Sequence, residues 1–166
     1  MPNKTTVALT FEQFREIINT MRSGGSGFRP NSRIAACLVL EANLGLRIDD
    51  ILQLHLADFL KDGANYRINI TEQKTQKKRT FIVPPAVYQF LYMYCEEHGI
   101  KKDDTIFPIT TRAVQKHLQK IADYLGYENI GTHSFRKFFA SDLYEANGHA
   151  SSLFSAPSIT PCWMAV

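Results

Sequence analysis

The sequence predicts an α+β domain, mostly α-helical, with one small antiparallel β-sheet packed at its edge. Three observations predict it. Apolar residues recur at helical spacing through segment after segment of the chain. Two short alternating runs, Tyr66–Ile70 and Thr80–Val83, flank a lysine-rich turn. The 166 residues, 45% of them hydrophobic and 21% charged, are enough for one domain with a real core, and they carry no internal repeat.

The elements follow in order. Thr10 with Gln13 three residues later forms a capping box, and Phe11, Phe14, Ile17, Ile18 and Met21 then repeat at helical spacing until Ser23-Gly24-Gly25-Ser26-Gly27 ends the helix. Pro30 restarts the chain into a strongly apolar helix through Ile34, Cys37, Leu38 and Leu40, which ends near Gly45. A short helix is expected from Asp49 to Leu54. The two strands come next, the second closed by Pro84-Pro85. Val87, Phe90, Leu91 and Tyr94 give the following helix its stripe, which Gly99 terminates. Thr110 or Thr111 caps a helix with Val114, Leu118, Ile121 and Leu125 on one face. Thr132 is expected to cap a last helix holding Phe135, Phe138, Phe139 and Leu143, stopped at Gly148.

A net charge of +3 is a mild pointer to a polyanionic partner. The three cysteines are far apart, and Cys37 and Cys95 fall in apolar helical patterns, so buried thiols in a reducing compartment are expected rather than a metal site. No apolar stretch reaches transmembrane length and Met1–Thr10 lacks a signal-peptide core, so a cytoplasmic protein without a membrane partner is expected. The composition breaks after Asn147-Gly148-His149. From Ala146 to Val166 there is no Lys, Arg, Asp or Glu, where roughly five would be usual. The expected division is therefore a domain over residues 1–149 and an atypical tail over 150–166, with a truncation or change of reading frame as its expected origin.

Four groups carry chemistry. His133 and Arg136 lie three residues apart on one helix face, a proton-transfer group beside a planar phosphate-binding fork. The ordinary alternative is a surface arginine beside a helix-start histidine. Arg47 follows a glycine-terminated helix, with Asp50 placed to orient its guanidinium; a local surface ion pair is the alternative. Lys74, Lys77, Lys78 and Arg79 sit on a hairpin turn that can reach phosphates, or that merely guards a sheet edge. Arg112, Lys116 and Lys120 recur every four residues as a basic stripe opposite an apolar one, suited to a DNA backbone or to solvent.

Together and in this order, Gly45-Leu46-Arg47 with Asp50, Lys74 and His133-Ser134-Phe135-Arg136-Lys137 resemble the catalytic domain of the tyrosine recombinases, the phage-integrase family, over about residues 5–149. The resemblance implies a tyrosine-recombinase-like fold and metal-free, cofactor-free cleavage and rejoining of DNA by transesterification. Arg47 and Arg136 would clamp the non-bridging oxygens. Lys74 would protonate the leaving 5′-oxygen, with Lys77 and Lys78 as fallbacks, and His133 would assist proton transfer. Asp50 would hold Arg47. Lys77, Lys78, Arg79, Arg112, Lys116, Lys120 and Lys137 would meet double-stranded DNA. The family's nucleophilic tyrosine, and the His or Trp before it, have no match. Tyr144 is the sole tyrosine after Arg136 and comes too early; His149 and Trp163 lack the surrounding motif. The family's N-terminal DNA-clamping domain is not expected either, and the protein is expected to be a monomer off DNA. The expected outcome is a recombinase domain without strand cleavage. The alternatives are a DNA-binding competitor of an intact recombinase and an enzyme completed in trans by another subunit's tyrosine.

Overall fold

A computed structural model describes the backbone of residues 5–146 and the side chains of residues 5–141. The uncharged tail, the Gly148 stop, His149, Trp163 and the side chain of Tyr144 lie outside the described residues. Six α-helices are described, with one 3₁₀ turn and three strands: α1 (Phe11–Ser23), α2 (Ser32–Leu44), α3 (Ile48–Ile51), the 3₁₀ turn (Leu56–Asp58), β1 (Leu60–Asp62), β2 (Asn65–Thr71), β3 (Lys78–Val83), α4 (Pro85–Glu97), α5 (Thr111–Leu125) and α6 (Thr132–Ala146).

α2 is the axis of the domain. Residues Ile34 to Ala42 and Leu44 are all buried, as expected of a helix that is apolar all round. α1, α3, α4 and α6 pack against it. α1 is amphipathic, with Phe14, Ile17, Ile18 and Met21 turned inward, and its Thr10–Gln13 capping box forms as the sequence predicts. Phe14 stacks on Phe138 with centroids 5.1 Å apart and meets Phe135 edge-on at 6.0 Å. These two buried rings fix the rotation of α6. Phe135 and Phe138 point into the core, so Arg136 between them is carried to the flank, half-buried, while His133 and Lys137 are exposed.

The sheet has three strands rather than the two expected, in the order β1-β2-β3, antiparallel throughout. Its β2–β3 register runs from Tyr66 opposite Val83 to Thr71 opposite Lys78. β1 was illegible because Leu60, Lys61 and Asp62 are all exposed and show no alternation. The inner face of the sheet holds Tyr66 and the buried Ile68 and Val83, and Tyr66 stacks on Tyr88 of α4 at 3.8 Å. Two boundaries also differ from expectation: α3 is shorter, and α6 begins at Thr132 itself. After Pro30, Asn31 caps α2 through its side chain. Gly131 therefore stands at the cap of α6, where its N–H donates to the buried Ser134 hydroxyl at 3.1 Å.

Cys37 and Cys95 are buried free thiols, as their apolar settings predict. Burial pushes the Cys37 thiol far above its usual range and that of Cys95 up to about 11. Among the described residues no helix is long and apolar enough to cross a membrane.

Candidate active site

The site starts at Gly45. It closes α2 in the left-handed region, φ 66°, and its N–H caps the Glu41 carbonyl. A side chain there has no room: a Cβ would lie 2.6 Å from Phe139 Cε1 on α6. With nothing between the backbone and α6, the Gly45 carbonyl accepts a hydrogen bond from Arg136 Nε at 2.9 Å. One glycine, two residues before Arg47, thus ends the helix, admits α6 and aims Arg136.

Arg47 stands at the N-cap of α3 with extended backbone. Its ion-pair partner is Glu72, not Asp50: Nη1 lies 3.6 Å from Glu72 Oε2. That separation is too long for a hydrogen bond, and Nη1 is buried without an acceptor. Glu72, 6% exposed, sits at the root of the β2–β3 hairpin. It also accepts from the Thr75 hydroxyl at 2.6 Å and pairs with Arg79 Nε at 3.1 Å, while its own N–H donates to the Lys77 carbonyl at 2.9 Å. Asp50 is buried and faces the same hairpin, accepting from the Gln73 N–H at 3.5 Å. The geometric reason is plain. Asp50 lies on the side of α3 that meets the turn, so it docks the hairpin, and the hairpin's own acid reaches Arg47.

The electrostatics follow from this packing. The Thr75 hydroxyl above all, then Arg79, Arg47 and Arg136, hold the Glu72 carboxyl below its usual range. Burial raises the Asp50 carboxyl and Glu72 adds to the rise, against the Gln73 N–H and Arg47. Glu41, 1% exposed in the last turn of α2, is pushed up to about 9 by burial, with Asp49 adding and Arg136 opposing. A Glu41 that keeps its proton at neutral pH cancels none of the charge on Arg136. Arg79, Arg47 and Arg136 therefore all act on the Glu72 carboxylate, with Asp50 the second buried acid at the same hairpin.

Lys74 occupies the exposed tip of the hairpin, one residue beyond the Gln73–Asp50 contact that docks it beside α3. His133 is exposed in the first turn of α6, three residues before Arg136. Neither makes a hydrogen bond to another described residue. Lys77 and Lys78 are exposed on the same hairpin. Arg79 is turned back onto Glu72 rather than outward. Arg112, Lys116 and Lys120 form an exposed stripe on α5, opposite the buried Val114, Leu118 and Ile121. The Thr111 hydroxyl donates to Asp49, which brings the start of this stripe beside α3. Lys137 departs from its expected place: its ammonium donates to the Thr6 carbonyl, so it fastens the N-terminal segment to α6. Glu72 is the residue that sequence reasoning missed. The available signal was a single acid at the head of a turn otherwise rich in lysine. Among the described residues no group of three His, Cys, Asp or Glu side chains is placed to hold a metal ion.

The model of the family described as the phage integrase family matches residues 8–153. A protein of Bacillus subtilis (strain 168) named "Probable integrase/recombinase YoeC" is 30% identical over 142 residues, covering 78% of this chain and 76% of the relative. Among solved structures, XerH site-specific recombinase in a post-cleavage complex with palindromic difH substrate superposes with a TM-score of 0.65 at 21% identity, over 91% of this chain and 48% of that one. A lambda integrase dimer bound to a COC′ core site gives 0.64 at 18% identity, over 96% and 47%. XerA recombinase gives 0.63 at 18%, over 89% and 52%. The chain thus spans about half the length of these solved structures, and at such identities the likeness is one of fold, that of the tyrosine-recombinase catalytic domain. With the family match over most of its length and the bacterial relative beside it, the chain belongs to the phage integrase family.

Proposed function

We propose that this chain is the phosphate-gripping catalytic domain of a site-specific DNA recombinase and that it binds duplex DNA through the face bearing Arg47, Lys74, His133 and Arg136. One observation carries the reading. Arg47 has a buried Nη1 with no acceptor, while Arg136 spends only its Nε on Gly45, which leaves its terminal nitrogens uncommitted among the described residues. Two forks held in this way suit the non-bridging oxygens of a phosphodiester. In the strand-cleavage step a tyrosine oxygen attacks phosphorus and the P–O5′ bond breaks. Lys74 protonates the departing oxygen, and His133 takes the tyrosine proton. Asp50 supports the step by docking the hairpin that carries Lys74.

Arg47→Ala and Arg136→Ala should each weaken inorganic sulfate or phosphate binding about 10- to 100-fold, the worth of a charge-assisted pair, with the cooperative thermal transition kept. Chemical-shift titration reads the first and calorimetry the second. Large destabilisation by either change would make that arginine a structural ion-pair member and sink its proposed role.

The covalent step needs a tyrosine, and among the described residues no tyrosine hydroxyl is hydrogen-bonded to this cluster. The second reading, a grip without chemistry, rests on that observation. A nicked suicide duplex separates the two. Binding with no denaturant-resistant adduct from this chain alone supports the grip. An adduct lost on Tyr144→Phe makes Tyr144 the nucleophile, and an adduct formed only with a tyrosine-bearing recombinase subunit supports completion in trans.

A further inference from the structure

The loop between α1 and α2 is built, not slack. Gly25 and Phe28 exchange backbone hydrogen bonds of 3.2 and 3.3 Å, and the Asn31 N–H returns to the Met21 carbonyl at 2.8 Å. Together with α5 this loop encloses an open groove of about 560 Å³, whose lining includes Phe28, Arg29, Asn31, His117 and Lys120 and no carboxylate. His117 Nε2 is buried there without a hydrogen-bond partner. The imidazole is set edge-on by Phe28 at 6.1 Å, and Phe28 is held in turn by Tyr124 at 5.3 Å. Two cations, an unpartnered imidazole nitrogen and no opposing acid describe a receptor for an anion.

The groove lies at the far end of the basic stripe on α5. Thr111 contacts Asp49 next to Arg47, and Lys120, nine residues later, lines the groove, a rise of about 14 Å along the helix. Measured along α2, Asn31 and Gly45 are separated by about 21 Å. Phosphates on one DNA strand follow each other every ~3.4 Å of axial rise, so these spans correspond to about four to six nucleotide steps.

We propose that this groove is a second backbone-phosphate site for duplex DNA, with Arg29, Lys120 and His117 as its donors, about 14–21 Å from the phosphate gripped by Arg47 and Arg136. It rests on the reading that the chain binds DNA, and it gives Arg112, Lys116 and Lys120 a direction: they lead the backbone from one phosphate site to the other. Asn31 allows a change of charge without a change of shape. Its Oδ1 caps α2 by accepting from the Ile34 N–H at 3.0 Å, a role Asp fills equally well.

The test is the salt dependence of binding to a 20-base-pair duplex, followed by fluorescence anisotropy. Arg29→Ala should reduce the slope of log K against log salt by about one, which at 0.1 M salt is about a tenfold loss of affinity. Asn31→Asp should weaken binding in the same direction while leaving the thermal transition in place. If the wild-type protein and Arg47→Ala bind duplex equally, or neither binds with any salt dependence, the underlying DNA reading fails. If Arg47→Ala weakens binding while Arg29→Ala and Asn31→Asp leave slope and affinity unchanged, the second site is refuted and the first stands. Protection of the groove by inorganic phosphate alone, with no change in duplex affinity in either variant, refutes it as well.

Discussion

Replacing Gly45 by Ala is the sharpest perturbation of this domain. Two costs add at that position. A non-glycine residue at φ 66° costs about 1–2 kcal/mol. A Cβ 2.6 Å from Phe139 Cε1 and 3.2 Å from Cγ forces the ring or α6 to move, an overpacking cost of about 1–3 kcal/mol. The sum, about 2–5 kcal/mol, should lower the melting temperature by roughly 5–15 °C for a domain of this size. Gly126→Ala is the internal control. It too ends a helix in the left-handed region, φ 76°, but a Cβ there meets nothing within 4 Å, so it pays only the backbone cost. Phe139→Ala in the Gly45→Ala background should return the steric part alone, a coupling that a double-mutant cycle by calorimetry reads directly. Because the Gly45 carbonyl holds Arg136, the single variant should also lose phosphate affinity more than Gly126→Ala does. Equal melting temperatures and equal phosphate affinities for the two alanine variants would refute the argument that close approach of α6 at Gly45 builds the site.

Glu72→Gln should loosen the β2–β3 hairpin and speed amide exchange at Gln73–Lys77. The native carboxyl is held below its ordinary value of 4.5, so its stabilisation is present above that value and lost as pH falls through the lowered one. The melting-temperature gap between wild type and variant should close in acid, and a gap independent of pH would reject it. Glu41 has the opposite sign. With its carboxyl at about 9 in the folded protein against 4.5, wild-type stability should fall as pH rises from about 4.5 toward 9, and Glu41→Gln should flatten that slope in urea unfolding series at pH 5 and 8. Cys37 and Cys95 should resist a thiol reagent at pH 8 until the protein unfolds, because burial holds both thiols protonated; rapid native-state labelling of either position would contradict their packing.

Local features were legible and crossings between distant segments were not. The Thr10–Gln13 box, the glycine closing α2 and the apolar stripe of α5 each involve residues within a turn or two, where spacing alone determines the partner. Arg47, Lys74, His133 and Arg136 are singled out as a set in the sequence because their order along the chain is a pattern. Their wiring was not found. Nothing in Leu46-Arg47-Ile48 announces a carboxylate 25 residues later, and an acid ahead of four basic residues reads naturally as solvated. Lys137 shares a helical face with His133 by its spacing, yet the segment around Thr6 lies over it. The glycine-rich loop before α2 reads as slack in sequence, whereas Phe28, packed against His117 and Tyr124, gives it a shape.

The bond from Arg136 to the Gly45 carbonyl spans 91 residues. In time rather than space, this means the contact cannot form until α6 has been made. During synthesis Arg47 emerges first, the hairpin with Glu72 follows, and the arginine pair is incomplete until α6 has been made and docked. A nascent chain that still lacks α6 therefore cannot hold Arg47 and Arg136 together. The same contact makes proper closure of α6 a precondition for pairing the two arginines, so a misfolded copy lacks the proposed phosphate site.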